Sequence, residues 1–103
     1  MRLEHYPVDK LKKEILEICA KYLDFSKYKV FFFGSRVSEG GDDRSDIDVG
    51  ILGSEPVSSI TKIREEVENL PILYKIDVVD FKDTSEGFRK VALEDVELIK
   101  AKS

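Results

Sequence analysis

FFFGSRVSEGGDDRSDIDVGIL, residues 31–52, holds two strand signals of different kinds joined by one polar loop. Val30, Phe31, Phe32 and Phe33 are apolar at every position, which suits a strand covered on both faces near the centre of a sheet. Gly34 ends that run. Ser35 is a good helix N-cap type, and the residues before Gly40 and Gly41 suffice for about one helical turn that the glycines would close. From Ser45 the pattern alternates, with Asp46, Asp48 and Gly50 on one side and Ile47, Val49 and Ile51 on the other, as in a half-buried strand.

Working outward, Val8, Leu11, Ile15, Ile18, Cys19 and Tyr22 recur at helical spacing after Pro7, opposite a Lys/Glu face. Downstream, Pro56 suits the first turn of a helix whose apolar stripe is Ile60, Ile63, Val67 and Leu70, with Lys62 and Glu66 paired four apart and Pro71 marking the end. ILYKIDVVDF, residues 72–81, is β-branched and aromatic and predicts a third strand. SEGFRKVALEDVELIK, residues 85–100, predicts a closing helix through Phe88, Val91, Leu93, Val96 and Ile99. The order helix, strand, short helix, strand, helix, strand, helix implies an α+β two-layer arrangement, a small sheet with helices packed on it.

The 103 residues fit one domain, 1–103. Hydrophobic residues at 42% and charged residues at 37% belong to a globular chain. A net charge of -4 leaves no basic footprint for nucleic acid, so a polyanionic ligand needs local Lys/Arg or a bridging cation. The single cysteine excludes an internal disulfide framework, and no apolar run approaches a membrane span or a signal peptide. A cytoplasmic protein is expected.

Acidic pairs two apart are common at this composition: 21 acidic residues in 103 give roughly four by chance, and the chain has three, at 46/48, 66/68 and 95/97. The last two fall in stretches with helical spacing, where residues two apart do not face each other and both can be solvated. In a strand, Asp46 and Asp48 point the same way, roughly 6 to 7 Å apart. Two like charges about 6 Å apart repel by about 3 kcal/mol at an effective dielectric near 20, and a divalent cation reverses that sign. Oxygen-only ligands favour Mg²⁺ or Mn²⁺ over zinc. On these two residues alone, a sheet edge with both carboxylates in water fits equally well. On the third strand, Asp77 and Asp80 point to opposite faces, so only one can join the pair; Asp77, mid-strand between Ile76 and Val78 where an unpaired charge would be expensive, is the choice, with Asp80 solvated near the strand end. Gly34-Ser35 offers backbone N–H groups and a hydroxyl to a phosphate. A Walker A loop fails because Glu39 and Gly40 stand where Gly-Lys is needed, and an EF-hand starting at Asp46 fails because its twelfth residue is Val57.

Gly34-Ser35, ten intervening residues, Asp46-Ile47-Asp48 and then KIDVVDF one helix later resemble the minimal nucleotidyltransferases of the DNA polymerase beta superfamily. The resemblance covers nearly the whole chain. It implies a small mixed sheet of the nucleotidyltransferase fold. It also implies that Asp46 and Asp48 hold two Mg²⁺ ions, with Mn²⁺ as substitute. Asp77 would be the third carboxylate, helping to bind metal and activating the attacking hydroxyl. Gly34 and Ser35 would contact the triphosphate of ATP or another NTP, with Arg36 or Arg44 as added phosphate contacts. The chain departs from the family in the loop: where many members have a basic residue and then Ala-Arg-Gly after Gly-Ser, here Arg36 is followed by Val37-Ser38-Glu39 and the glycine moves to position 40.

Larger relatives carry further domains for base or acceptor. A domain of this size resembles the antitoxin member of toxin-antitoxin pairs, which attaches AMP to a tyrosine of a small helical HEPN toxin. Two alternatives share the fold: a non-catalytic antitoxin that neutralises by binding, and transfer to a small-molecule hydroxyl, for which a second domain would be wanted. The two-sided apolarity of 30–33 leaves room for a partner or a second copy on the sheet.

Overall fold

The computed structural model describes residues 1–38 and 45–102. The expected glycine stop at Gly40-Gly41 and the phosphate contact at Arg44 lie outside the described residues. In chain order the elements are α1 (Val8–Ala20), β1 (Tyr28–Phe33), α2 (Ser35–Ser38), β2 (Ile47–Gly53), α3 (Ile60–Glu68), β3 (Ile76–Asp80), a 3₁₀ turn (Phe81–Asp83), α4 (Glu86–Ala92) and β4 (Glu97–Lys100). The four strands form one sheet in the order β3-β2-β1-β4. β1 runs antiparallel to β2 and β4, while β2 and β3 are parallel and joined through α3.

The apolar run does what its pattern predicts. β1 lies between two neighbours, and successive side chains enter different clusters. Val30 and Phe32 join Leu11, Ile15, Ile47, Val49, Ile51, Ile63 and Val67 in the main core, which α1 and α3 cover. Phe31 and Phe33 join Phe81 on the other face, with ring centroids 5.0 Å from Phe81 in both cases. Gly50 faces Phe31 across the hairpin, and a Cβ there would come 2.5 Å from Phe31 Cε2 and 2.7 Å from Phe81 Cε1. The missing side chain lets both rings approach β2 closely, edge to face with one another.

The structure corrects several expectations, and the third strand begins at Ile76 rather than Ile72. The closing helix stops at Ala92, and residues 97–100 are instead a strand on β1. An apolar inner strand left with an open edge would be costly, and β4 closes it; Ile99 packs on the main core while Leu98 is 47% exposed. The acid pair at 95/97 therefore does not share a helix, and Glu97 binds the N-terminal ammonium and Lys12. α3 begins at Ile60 rather than at Pro56, because Val57 is buried and its N–H is held by Asp80 Oδ2 at 2.8 Å. Glu66 accepts from Lys21 and Tyr22 of the α1 end, a tertiary link in place of the expected pairing with Lys62.

Candidate active site

The site forms where β1 ends, beside the start of β2 and β3. Gly34 adopts φ +84°, a conformation that costs an L side chain roughly 1–2 kcal/mol. Its Cα also packs so closely on Asp48 that an added Cβ would overlap Oδ2 of that carboxylate. A glycine is required here twice over, for its dihedral and for its neighbour. Val37 and Ser38 then donate to Gly34 O at 3.0 Å each, winding the single turn of α2 with Ser35 exposed at its start.

Pairing register places the acids. Phe33 faces Asp48 across the hairpin, and Asp48 lies beside Asp77 in the parallel pair, so the two carboxylates project from one face of the sheet. Burial pushes the half-buried Asp48 carboxyl above its ordinary range, and the charges of Asp77 and then Asp46 push it further. Asp46, exposed just before β2, has Lys75 Nζ 4.0 Å from Oδ2. Asp77 is also exposed, because β3 is an edge strand; the expense expected of an unpaired mid-strand charge does not arise there. Asp80, expected to be solvated, is instead buried and structural, accepting from Val57 N and, at 3.1 Å, from Lys82 N. Alternation along β3 sends Asp77 and Asp80 to opposite faces, as expected.

Among the described residues, no three acidic, His or Cys side chains are already gathered into a metal site. The donor set nevertheless suits a hard divalent cation: it is oxygen only, and its crowded negative charge already weighs on Asp48.

Two hollows flank Asp48, and both also touch Phe33 and Phe88. One, about 400 Å³, opens along Gly34, Ser35 and α4; the other, about 470 Å³, opens along Asp77 and Arg64. Phe88 is 42% exposed yet fixed, its ring 5.6 Å from Phe81 and 6.1 Å from Phe33, with its N–H capped by Ser85 Oγ. Sequence reasoning assigned Phe88 to a helix stripe and gave Arg64 and Tyr74 no role. Arg36, expected as a phosphate contact, is 3% exposed, with its guanidinium 4.9 Å from the Tyr74 ring centre.

The G-S turn thus lies over one carboxylate, with a second acid on the adjoining parallel strand. The chain belongs to the nucleotidyltransferase family of polymerase beta, whose model matches residues 11–103. It is 32% identical over 66 residues to a probable protein adenylyltransferase, MntA, of Haemophilus influenzae. That match spans 62% of this chain and 58% of the relative's length. Its fold is also that of a toxin-antitoxin crystal structure with AMP-PNP, at TM-score 0.69 and 15% identity over 87% of this chain and 73% of the other. A tri-AMPylated Shewanella oneidensis HEPN toxin in complex with its MNT antitoxin matches at TM-score 0.65 and 16% identity, over 90% and 72% of the two chains.

Proposed function

We propose that this protein transfers AMP from ATP to a hydroxyl, most specifically a tyrosine of a HEPN-type helical toxin, and acts as the antitoxin of that pair. The observation that carries the reading is the packing of Gly34 on Asp48 beside Asp77: the turn suited to phosphate and the acids suited to metal meet at one point. Family membership and the likeness to MntA support it.

Asp46, Asp48 and Asp77 would hold two Mg²⁺ ions, which supply charge neutralisation at the entering and leaving oxygens of an in-line displacement. Gly34 brings the turn against Asp48, and the exposed Ser35 hydroxyl with the backbone N–H groups of residues 35 and 36 would face the triphosphate, those of Val37 and Ser38 being taken by Gly34 O. Asp77, exposed on the acceptor side, takes the proton from the attacking hydroxyl. A bond forms from that oxygen to the α-phosphorus, the bond to the bridging oxygen breaks, and pyrophosphate leaves. The reading places the protein in the cytoplasm, where ATP is available and the lone Cys19 stays reduced. No helix among the described residues is long and apolar enough to cross a membrane.

The test is mass spectrometry of a candidate toxin after incubation with the protein, ATP and Mg²⁺. An AMP increment on a toxin tyrosine is expected, and it should vanish with Asp46→Asn/Asp48→Asn. Neutralisation of the toxin by that double variant would instead favour the non-catalytic binding mode.

A further inference from the structure

The loop in which this chain leaves the family pattern begins with Arg36 and ends with Ser45, and the two are joined. Arg36 Nε donates to Ser45 O at 2.7 Å. Its guanidinium lies over the Tyr74 ring at 4.9 Å, within cation–π range. Tyr74 in turn is tied to the N-terminal segment, its hydroxyl accepting from His5 N at 3.2 Å. With 3% exposure, Arg36 is one of two buried charged residues among those described, and its Nη2 has no hydrogen-bond partner among the described residues. A cation held so far out of water on a surface turn is expensive, and a solvent-facing phosphate contact would not need it buried.

Position explains what that burial achieves. Arg36 directly follows Gly34-Ser35, and Ser45 directly precedes Asp46. The Nε–carbonyl bond therefore ties the residue that follows the Gly34-Ser35 turn to the residue that precedes Asp46. Tyr74 holds the clamp from the strand-leading segment, one residue before Lys75, whose carbonyl accepts from Ile47 N at 2.9 Å at the start of β2. The three anchors, Arg36, Tyr74 and Ser45, thus surround the entry to β2 on which Asp46 and Asp48 are carried.

We infer that Arg36 is a positioning residue, a buried brace stacked on Tyr74 that sets Asp46 and Asp48 against the Gly34-Ser35 turn, rather than a ligand of the triphosphate. The inference rests on the nucleotidyltransfer reading for its kinetic arm only.

Two readouts test it. Hydrogen exchange of a peptide spanning 45–50 needs no activity, and it should quicken in Arg36→Lys, which keeps the charge but loses the fork, and in Tyr74→Leu. Tyr74→Phe, which keeps the ring, should restore wild-type protection. In the transfer assay, Arg36→Lys and Tyr74→Leu should lower kcat about tenfold or more, since small misplacements near the reacting groups cost up to about 100-fold. KM for ATP should stay within about threefold of wild type. A raised KM with unchanged kcat and unchanged exchange would make Arg36 a phosphate ligand and overturn the inference. Wild-type behaviour in every variant would overturn it too. Should Arg36→Lys fail to fold, the Tyr74 pair decides alone. Should the wild type transfer nothing to any acceptor, the proposed function falls while the exchange arm still judges the brace.

Discussion

Asp48→Asn is expected to stabilise the metal-free protein while abolishing its activity. Asp48 sits half-buried beside Asp77 in the parallel register, at the roughly 4.8 Å spacing of adjoining strands. Two unit charges about 5 Å apart repel by about 3 kcal/mol at an effective dielectric of 20 and by about 0.8 kcal/mol in water. Asp77 and Asp46 are exposed, so the lower half of that range applies, and about 1 kcal/mol is a fair working figure. Asparagine is nearly isosteric and removes the repulsion along with the desolvation cost of the charge. For a chain of this size about 1 kcal/mol corresponds to a rise in Tm of about 4–8 °C.

The assay is thermal unfolding followed by circular dichroism in EDTA at low ionic strength. Raising salt should narrow the gap between variant and wild type by screening the exposed partners. Mg²⁺ should raise the Tm of the wild type and move that of the variant much less, because the cation and the amide relieve the same repulsion. A variant no more stable than wild type in EDTA would refute the account of Asp48 as a charge held under strain. A variant that responds to Mg²⁺ as fully as wild type would remove Asp48 from the metal ligands.

Three further outcomes are expected. Asp80→Ala should cost about 1–3 kcal/mol in urea unfolding, because the N–H of Val57 loses its buried acceptor and that of Lys82 loses its cap. Glu66 is held below the usual carboxylate range by hydrogen bonds from Lys21 and Tyr22, so its contribution is present above its unfolded pKa and lost as pH falls through its lower folded value. The stability gap to Glu66→Gln should therefore stay level from pH 8 to about 5 and close only in more acid solution, as followed by Tm across pH. Burial pushes the Cys19 thiol up to about 12, so a thiol reagent at pH 8 should react at the rate of unfolding in the native protein and rapidly in denaturant.

Local pattern made the inner half of this fold legible. A strand apolar at every position announces two covered faces, and β1 indeed feeds Val30 and Phe32 to one core and Phe31 and Phe33 to another. Strict alternation in β2 placed Ile47, Val49 and Ile51 inward, each fully buried. The failures all involve partners distant in sequence. Residues 93–100 fit a helical stripe, and only the open edge of β1 turns residues 97–100 into a strand. Pro56 is a sound helix starter, but Asp80 captures Val57 and delays α3 by four residues. A tertiary hydrogen bond or a free sheet edge outweighs a propensity worth a few tenths of a kcal/mol per residue, and neither is written in the neighbouring letters.

The same limit acted on the charged residues, with opposite results for two that looked alike. Parity along β3 separated Asp77 from Asp80, because alternation is a property of the strand itself. Which of the two was in water depended on what packed on each face, and the expectation was inverted: the structural acid is the buried one, and the candidate catalytic acid is exposed on an edge strand. A proton acceptor for an incoming hydroxyl must be reachable, so exposure fits Asp77's proposed role better than burial would. Arg36 follows the converse logic. Its place after Gly-Ser suggested phosphate, yet a side chain withdrawn from solvent onto Tyr74 and Ser45 is suited to holding the site rather than entering it.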